Sequence, residues 1–204
     1  MVGPPSVIAE RYVRMLMSTH AQHRRAESAM RTGLIAGRLS VLPSGAEARQ
    51  LRIQSVLVRL VSITESFAST QLADRLERQM PTPRNDLPEA LYIQAEDRAT
   101  STWDAVESNY RRWVGKLDLK KCPARDDVRA LVDARNAIVH GLGVLTKRQL
   151  RDPKLAGLIS GLSALGITID GSYRVSVSQA ALREATLHLR ELILWLDGEL
   201  SKRP

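Results

Sequence analysis

The chain has 204 residues, 44% hydrophobic and 25% charged, which are ordinary values for a globular protein and exclude a disordered or collagen-like chain. Aromatics make up only 4%, so the core is aliphatic, and 30 Lys and Arg against 22 Asp and Glu leave a charge of +8. That excess favours polyanionic partners, nucleic acid first, although it is spread along the chain and not gathered in one block. The length fits a single domain, residues 1–204, with room for a sizeable core. The lone Cys122 excludes an internal disulfide and points to a reducing compartment. No run reaches about 18 uninterrupted apolar residues. The start, Met1-Val2-Gly3-Pro4-Pro5, lacks a basic-then-apolar leader. The expectation is a cytoplasmic protein with no membrane segment.

From Ser6 to about Leu39 the pattern is helical, with Val7, Ile8, Tyr12, Met15, Leu16 and Met17 supplying apolar positions. His20 and His23 lie three apart on this helix. Without a third ligand nearby, and with Arg24 and Arg25 repelling a cation, they read as a solvated helix face and not a metal site. Arg24, Arg25, Arg31 and Arg38 form a second feature, a basic face or simply a solvated one. Ser44-Gly45-Ala46-Glu47 has the capping-box pattern and opens a helix to about Gln79. This is the richest apolar segment, and Glu65 sits at the edge of its stripe. A breaker cluster, Met80 to Asp86, separates it from a helix over residues 87–117 whose polar middle, Gln94 to Ser101, bends or breaks it. Tyr110, Arg111, Arg112 and Trp113 interleave aromatics with charge, as single-stranded RNA binding uses, but the pattern fits a core face beside a solvated face as well. Lys120 and Lys121 then form a basic loop ahead of the next helix.

That next helix, about Asp126 to Leu142, carries the one unusual pattern in the chain. At roughly 100° per residue, Val128, Leu131, Val132, Ile138, Val139 and Leu142 share one apolar stripe, and Arg135 projects from its middle. Asp133, Asn136 and His140 share a neighbouring face. A guanidinium in an apolar seam cannot lose its charge, so it needs a carboxylate, a phosphate or a wet cleft. One reading pairs Arg135 with Glu65 and leaves His140 at a helix C-terminus, where the dipole favours a cation. The other makes an anion site in which Arg135 grips a phosphate and His140 moves protons.

Arg135-Asn136-Ala137-Ile138-Val139-His140 resembles the R-x4-H motif of the HEPN superfamily, in the form with asparagine after the arginine. The resemblance covers mainly residues 45–200, and only the motif is residue-specific. It implies an all-α, antiparallel helical bundle. Many members are metal-independent endoribonucleases that bring two motifs together in a dimer, while others only bind. In one branch a tyrosine two residues after the histidine is modified to silence the enzyme. Here that position is Leu142, so control by that route is not implied.

Beyond the motif, Gly141 and Gly143 suit a tight turn, and Thr146-Lys147-Arg148-Gln149 repeats the capping-box pattern, placing Lys147 and Arg148 close to His140. Residues 153–165 read as a short weak helix. Two alternating runs around Asp170-Gly171 predict a small β-hairpin over residues 166–177, a packing flap on an otherwise all-α fold. Ser178 caps a final helix to about Leu200, in which His188 is a structural or surface residue.

No Walker loop, dinucleotide fingerprint or zinc-spaced Cys/His cluster occurs, so neither a cofactor nor a metal is expected. The resemblance therefore directs attention to metal-free RNA cleavage through the 2′-hydroxyl, of the toxin or phage-defence type. His140 would be the acid or base, Arg135 would stabilise phosphorane charge, and Asn136 would position either. Glu65 and Asp133 are supporting candidates. Lys120, Lys121, Lys147 and Arg148 are candidates for the RNA backbone. One histidine per chain is thin for two proton transfers, so a homodimer is implied by the chemistry as well as by the resemblance. An antitoxin or other regulatory protein is a possible further partner. The alternatives are a non-catalytic HEPN module that binds RNA, a nucleotide or a protein, and a purely structural bundle.

Overall fold

The computed structural model describes residues 4–35, 45–79 and 86–203. Its elements run α1 (Val7–Ile35), α2 (Gly45–Arg78), α3 (Asp86–Thr100), α4 (Trp103–Trp113), a 3-10 turn (Leu119–Lys121), α5 (Arg125–His140), α6 (Lys147–Leu150), α7 (Leu155–Ala164), β1 (Ile167–Ile169), β2 (Val175–Val177) and α8 (Gln179–Ser201). The protein is an all-α helical bundle with one two-stranded antiparallel hairpin. No described helix is long and apolar enough to cross a membrane.

The long helix α2 organises the rest, because its apolar residues fall on more than one side. Ile53, Leu57, Leu60, Val61, Phe67 and Leu72 are all buried, and α2 touches α1, α3, α4, α5, α8 and β2. Burying a Leu or Phe side chain contributes about 2 kcal/mol, so a helix with this many apolar residues docks on several partners at once. Side-chain contacts fix the directions. Tyr12 meets Ser66 and Glu27 meets Arg49, so α1 runs antiparallel to α2. Glu65 approaches Arg135 while Gln54 lies beside Gly143, so α5 is antiparallel to α2 as well. Arg75 donates to the Leu200 carbonyl at 2.8 Å and to that of Arg203, which satisfies the end of α8 and sets α8 parallel to α2.

Polar contacts hold α1 to α8 at both ends. The Asp197 carboxylate accepts from the Ser6 N–H at 2.8 Å and from its hydroxyl at 2.6 Å. At the other end His23 Nε2 lies 2.8 Å from Gln179 Nε2. The solvated face expected for His20 and His23 is therefore corrected. Both are buried, because α8 crosses that face of α1. Burial, then Arg24, His23 and Arg183, hold the His20 pKa below its ordinary value. Glu27, also buried, takes Arg49 and Arg52 from α2. Of the basic face, Arg24, Arg25 and Arg31 are exposed, and Arg38 lies outside the described residues. The helix end at Leu39, the Ser44 cap and most of the Met80–Asp86 breaker lie outside them too.

The segment read as one helix over 87–117 divides at Ser101–Thr102, where the Thr102 hydroxyl accepts from the Ala105 N–H and starts α4 afresh. Tyr110 is fully buried and donates to the Ala68 carbonyl at 2.7 Å. Trp113 stays exposed beneath the Arg112 guanidinium, 4.7 Å from the ring centre. The hairpin pairs Ile167 with Val177 and Ile169 with Val175. Asp170 accepts from the Ser172 and Arg174 N–H groups and closes its turn. On the outer edge of β2, the glutamines of α2 take the place of a third strand. Gln54 donates to the Val175 carbonyl at 2.8 Å, and the Gln50 side-chain amide lies against the backbone of Val177.

Candidate functional site

The helix α5 ends at His140, not at Leu142, and the reason is local. Gly141 closes on the backbone so tightly that a Cβ there would lie 1.9 Å from the Val144 carbonyl oxygen. Leu142 and Gly143 then turn with positive φ, +54° and +87°. A left-handed leucine costs about 1 kcal/mol. The hairpin holds the turn in place: Val175 N–H donates to the Gly143 carbonyl at 2.8 Å and Leu145 N–H to that of Tyr173 at 3.0 Å. The expected apolar stripe therefore stops early. Val139 is 42% exposed and Leu142 88% exposed. Exposed apolar side chains thus stand one residue before and two residues after His140 in the chain.

Arg135 lies against α2. Its Nε is 3.8 Å from Glu65 Oε2, with the two side chains 27% and 23% exposed. Nη1 donates to Asn136 Oδ1 at 2.9 Å. Nε is fully covered yet has no hydrogen-bond partner. Of five N–H donors on the guanidinium, one is used among the described residues. Burial raises the Glu65 pKa, and Arg135 only partly offsets that. His140 is exposed and makes no hydrogen bond or ion pair with any described residue. Five residues along a helix separate it from Arg135 by about 140° and 7.5 Å, so one chain presents the two groups on different sides of α5. Asn136 is one turn from His140 on the same face.

Asp133 stands apart from this pair. Its carboxylate faces Arg129 Nε at 3.7 Å, within a network that joins α4 to α5. Arg125 grips Glu107 with two 3.0 Å hydrogen bonds and Asp126 with a third at 2.7 Å. Arg129 reaches Asp104 and approaches Glu107 at 4.0 Å. Burial raises the Asp133 pKa, with Arg129 acting against it and Asp104 adding to it. Sequence reasoning missed this network. Its only local trace was the four-residue spacing of Arg129 and Asp133.

The four basic candidates separate into two pairs. Lys120 and Lys121 are exposed on the 3-10 turn before α5, the end opposite His140, which the length of the helix puts about 22 Å away. Lys147 and Arg148 are exposed on α6, just past the turn. There the Thr146 capping box is complete, and Gln149 Nε2 donates to the Asp133 carbonyl at 2.8 Å. His188 lies 3.3 Å from Asp127, a structural contact between α8 and α5. Among the described residues, no group of three or more His, Cys, Asp or Glu side chains is arranged to hold a metal ion. Compared with family models, curated proteins and solved structures, the chain matches none.

Proposed function

We propose that this chain is a HEPN-type, metal-independent endoribonuclease of the toxin or phage-defence kind, working in the cytoplasm as a homodimer with two motifs facing one cleft. The observation that carries the reading is the contrast within one motif. Among the described residues Arg135 spends one donor, on Asn136, with Nε covered and the other guanidinium N–H groups unpaired, and His140 is exposed with no side-chain partner. The motif itself and the charge of +8 add support. The apolar side chains beside His140 suit contact with a second copy, which would supply the second histidine.

In this reading one imidazole takes the proton from an RNA 2′-hydroxyl as its oxygen attacks the adjacent phosphorus. The P–O5′ bond breaks, and the imidazolium of the other chain returns a proton to the leaving 5′-oxygen. The products are a 2′,3′-cyclic phosphate and a 5′-hydroxyl. Arg135 stabilises the charge that builds on the phosphorane, and Asn136 holds the guanidinium on its Oδ1. Lys147 and Arg148 lie at the correct end of α5 to meet the strand. The Glu65 contact favours a second reading, a non-catalytic HEPN module binding RNA, a nucleotide or a partner such as an antitoxin, because it gives Arg135 a counter-charge without any substrate.

The test is RNA cleavage in EDTA. Wild-type protein cuts RNA, and His140→Ala loses at least 100-fold in rate with an unchanged melting temperature. Binding without cleavage establishes the second reading. Cleavage undiminished in His140→Ala overturns the first.

A further inference from the structure

We infer that the groove between α1 and α2 is a phosphate-binding position for a nucleotide, either free or within a single-stranded RNA. The groove has a volume of about 320 Å³, at the small end of ligand clefts, and no carboxylate lines it. Arg11 enters from α1 and Arg59 from α2. Neither guanidinium makes a hydrogen bond or ion pair with any described residue. Both arginines are exposed, so their guanidinium groups are open to a ligand from solvent.

Hydroxyls complete the lining. Ser62 and Ser66 fall on the same side of α2 as Arg59, three and seven residues further on. Ser62 has no hydrogen-bond partner among the described residues. Tyr12 Oη and Ser66 Oγ lie 3.3 Å apart and share one proton, so the other is left to donate outward. The Tyr12 ring is held edge-on against buried Phe67, with centroids 5.3 Å apart, which fixes where its hydroxyl points. Two forked cations and two free hydroxyl donors suit a phosphate's oxygens. Ile63 gives the groove an apolar floor against which a ribose or base can rest.

The position relates the groove to Arg135. Along α2, Gln54 marks the level of Gly143 and Glu65 the level of Arg135. Ser62 lies between those levels and about 60° around the helix from Glu65. The groove is thus one helix width from the Arg135 contact, within a few nucleotides' reach of it. That last step, a strand passing both places, rests on the ribonuclease reading. The phosphate site itself does not.

The experiment measures fluorescence anisotropy of a labelled 2′-O-methyl 12-mer, which cannot be cleaved through its 2′-oxygen. Adenosine monophosphate and inorganic phosphate serve as competitors. Arg11→Gln/Arg59→Gln is compared with Arg98→Gln/Arg190→Gln, an equal loss of charge at exposed positions of α3 and α8. The expected result is at least tenfold weaker oligonucleotide binding by the groove variant alone. The slope of its log affinity against log salt becomes shallower by about 0.7 for each phosphate that the variant leaves unneutralised. Arg11→Lys/Arg59→Lys restores the charge without the fork and recovers part of the affinity. Competition by adenosine monophosphate against the wild type identifies a free nucleotide as ligand, and its failure leaves the strand. Equal binding by groove and control variants, with every probe, overturns the site. Because the 12-mer is uncleavable, that outcome is independent of whether the protein cuts RNA.

Discussion

The helix α5 carries three arginines, and its two halves treat them differently. Arg125 and Arg129, in the first half, have carboxylates on several sides. The Glu107 hydrogen bonds, against the cost of burial, hold the Arg125 pKa above its ordinary value. Burial works against the Arg129 charge, and Asp104, Asp133 and Glu107 outweigh it. In the second half Arg135 has one hydrogen bond and one carboxylate at 3.8 Å. A guanidinium used for structure spends its donors within the protein, whereas one kept for a ligand leaves them open. The largest expected effect tests that difference directly. Arg135→Lys keeps the charge and loses the fork, and should lower kcat/KM for RNA cleavage about 100-fold, roughly 3 kcal/mol of transition-state stabilisation. Its melting temperature should stay within about 2 °C of wild type. Full activity in this variant would erase the distinction between the two halves.

The opposite outcome is expected at the other end of the helix. Arg125→Ala leaves Glu107 with its side chain only 10% exposed and its main partner gone. Trp103 Nε1, at 3.0 Å, still donates to that carboxylate, which limits the damage. Because the Arg125 side chain is 21% exposed, the cost should fall below that of a fully buried pair, at about 2 kcal/mol. A thermal melt should drop by about 4–8 °C, while cleavage per folded molecule is unchanged. An activity loss without a stability loss would mean that the network, and not Arg135, faces the substrate.

Local signals were legible in the sequence and long-range ones were not. Thr146-Lys147-Arg148-Gln149, Ser178 and the Asp170-Gly171 hairpin act within a few residues, and each appears where the pattern put it. The proximity of Glu65 to Arg135 could be read from the edges of two apolar stripes, because an unpaired guanidinium in such a seam demands a partner. The burial of His20 and His23 depends on α8, more than 150 residues away, and periodicity in α1 carries no trace of that helix. The Arg125–Glu107 fork likewise joins elements whose packing only the fold decides. Lys120 and Lys121 look adjacent to the motif in the chain because a sequence does not display the rise of the helix between them.

A smaller effect separates charge balance from positioning at Glu65. Its folded-state pKa lies above the ordinary 4.5, with burial the main cause and Arg135 opposing. Between those two values the folded protein holds a proton that the unfolded chain has released. Stability therefore falls as pH rises through that window and levels off above it. Glu65→Gln removes this share of the slope and should keep stability at neutral pH within about 1 kcal/mol of wild type. The cost should appear in cleavage instead, as a three- to tenfold loss, because Arg135 loses the carboxylate that draws it towards α2. Pairing the pH dependence of chemical denaturation with the cleavage rate checks both halves. An unchanged rate would mean that the Asn136 contact alone positions the guanidinium.

The smallest effect concerns how Lys147 and Arg148 are held. The helix α6 is four residues long and could not persist by propensity alone. The Thr146 hydroxyl accepts from the Gln149 N–H, and the Gln149 side chain reaches back to the Thr146 N–H and across to the Asp133 carbonyl. One cap thus ties α6 to the middle of α5. Thr146→Ala removes the hydroxyl and should cost about 1 kcal/mol, with faster amide exchange confined to residues 146–151. If the two cations contact RNA from a fixed position, affinity falls two- to threefold even though both charges remain. If affinity is untouched, their contribution is diffuse attraction, and the second half of α5 works without support from α6.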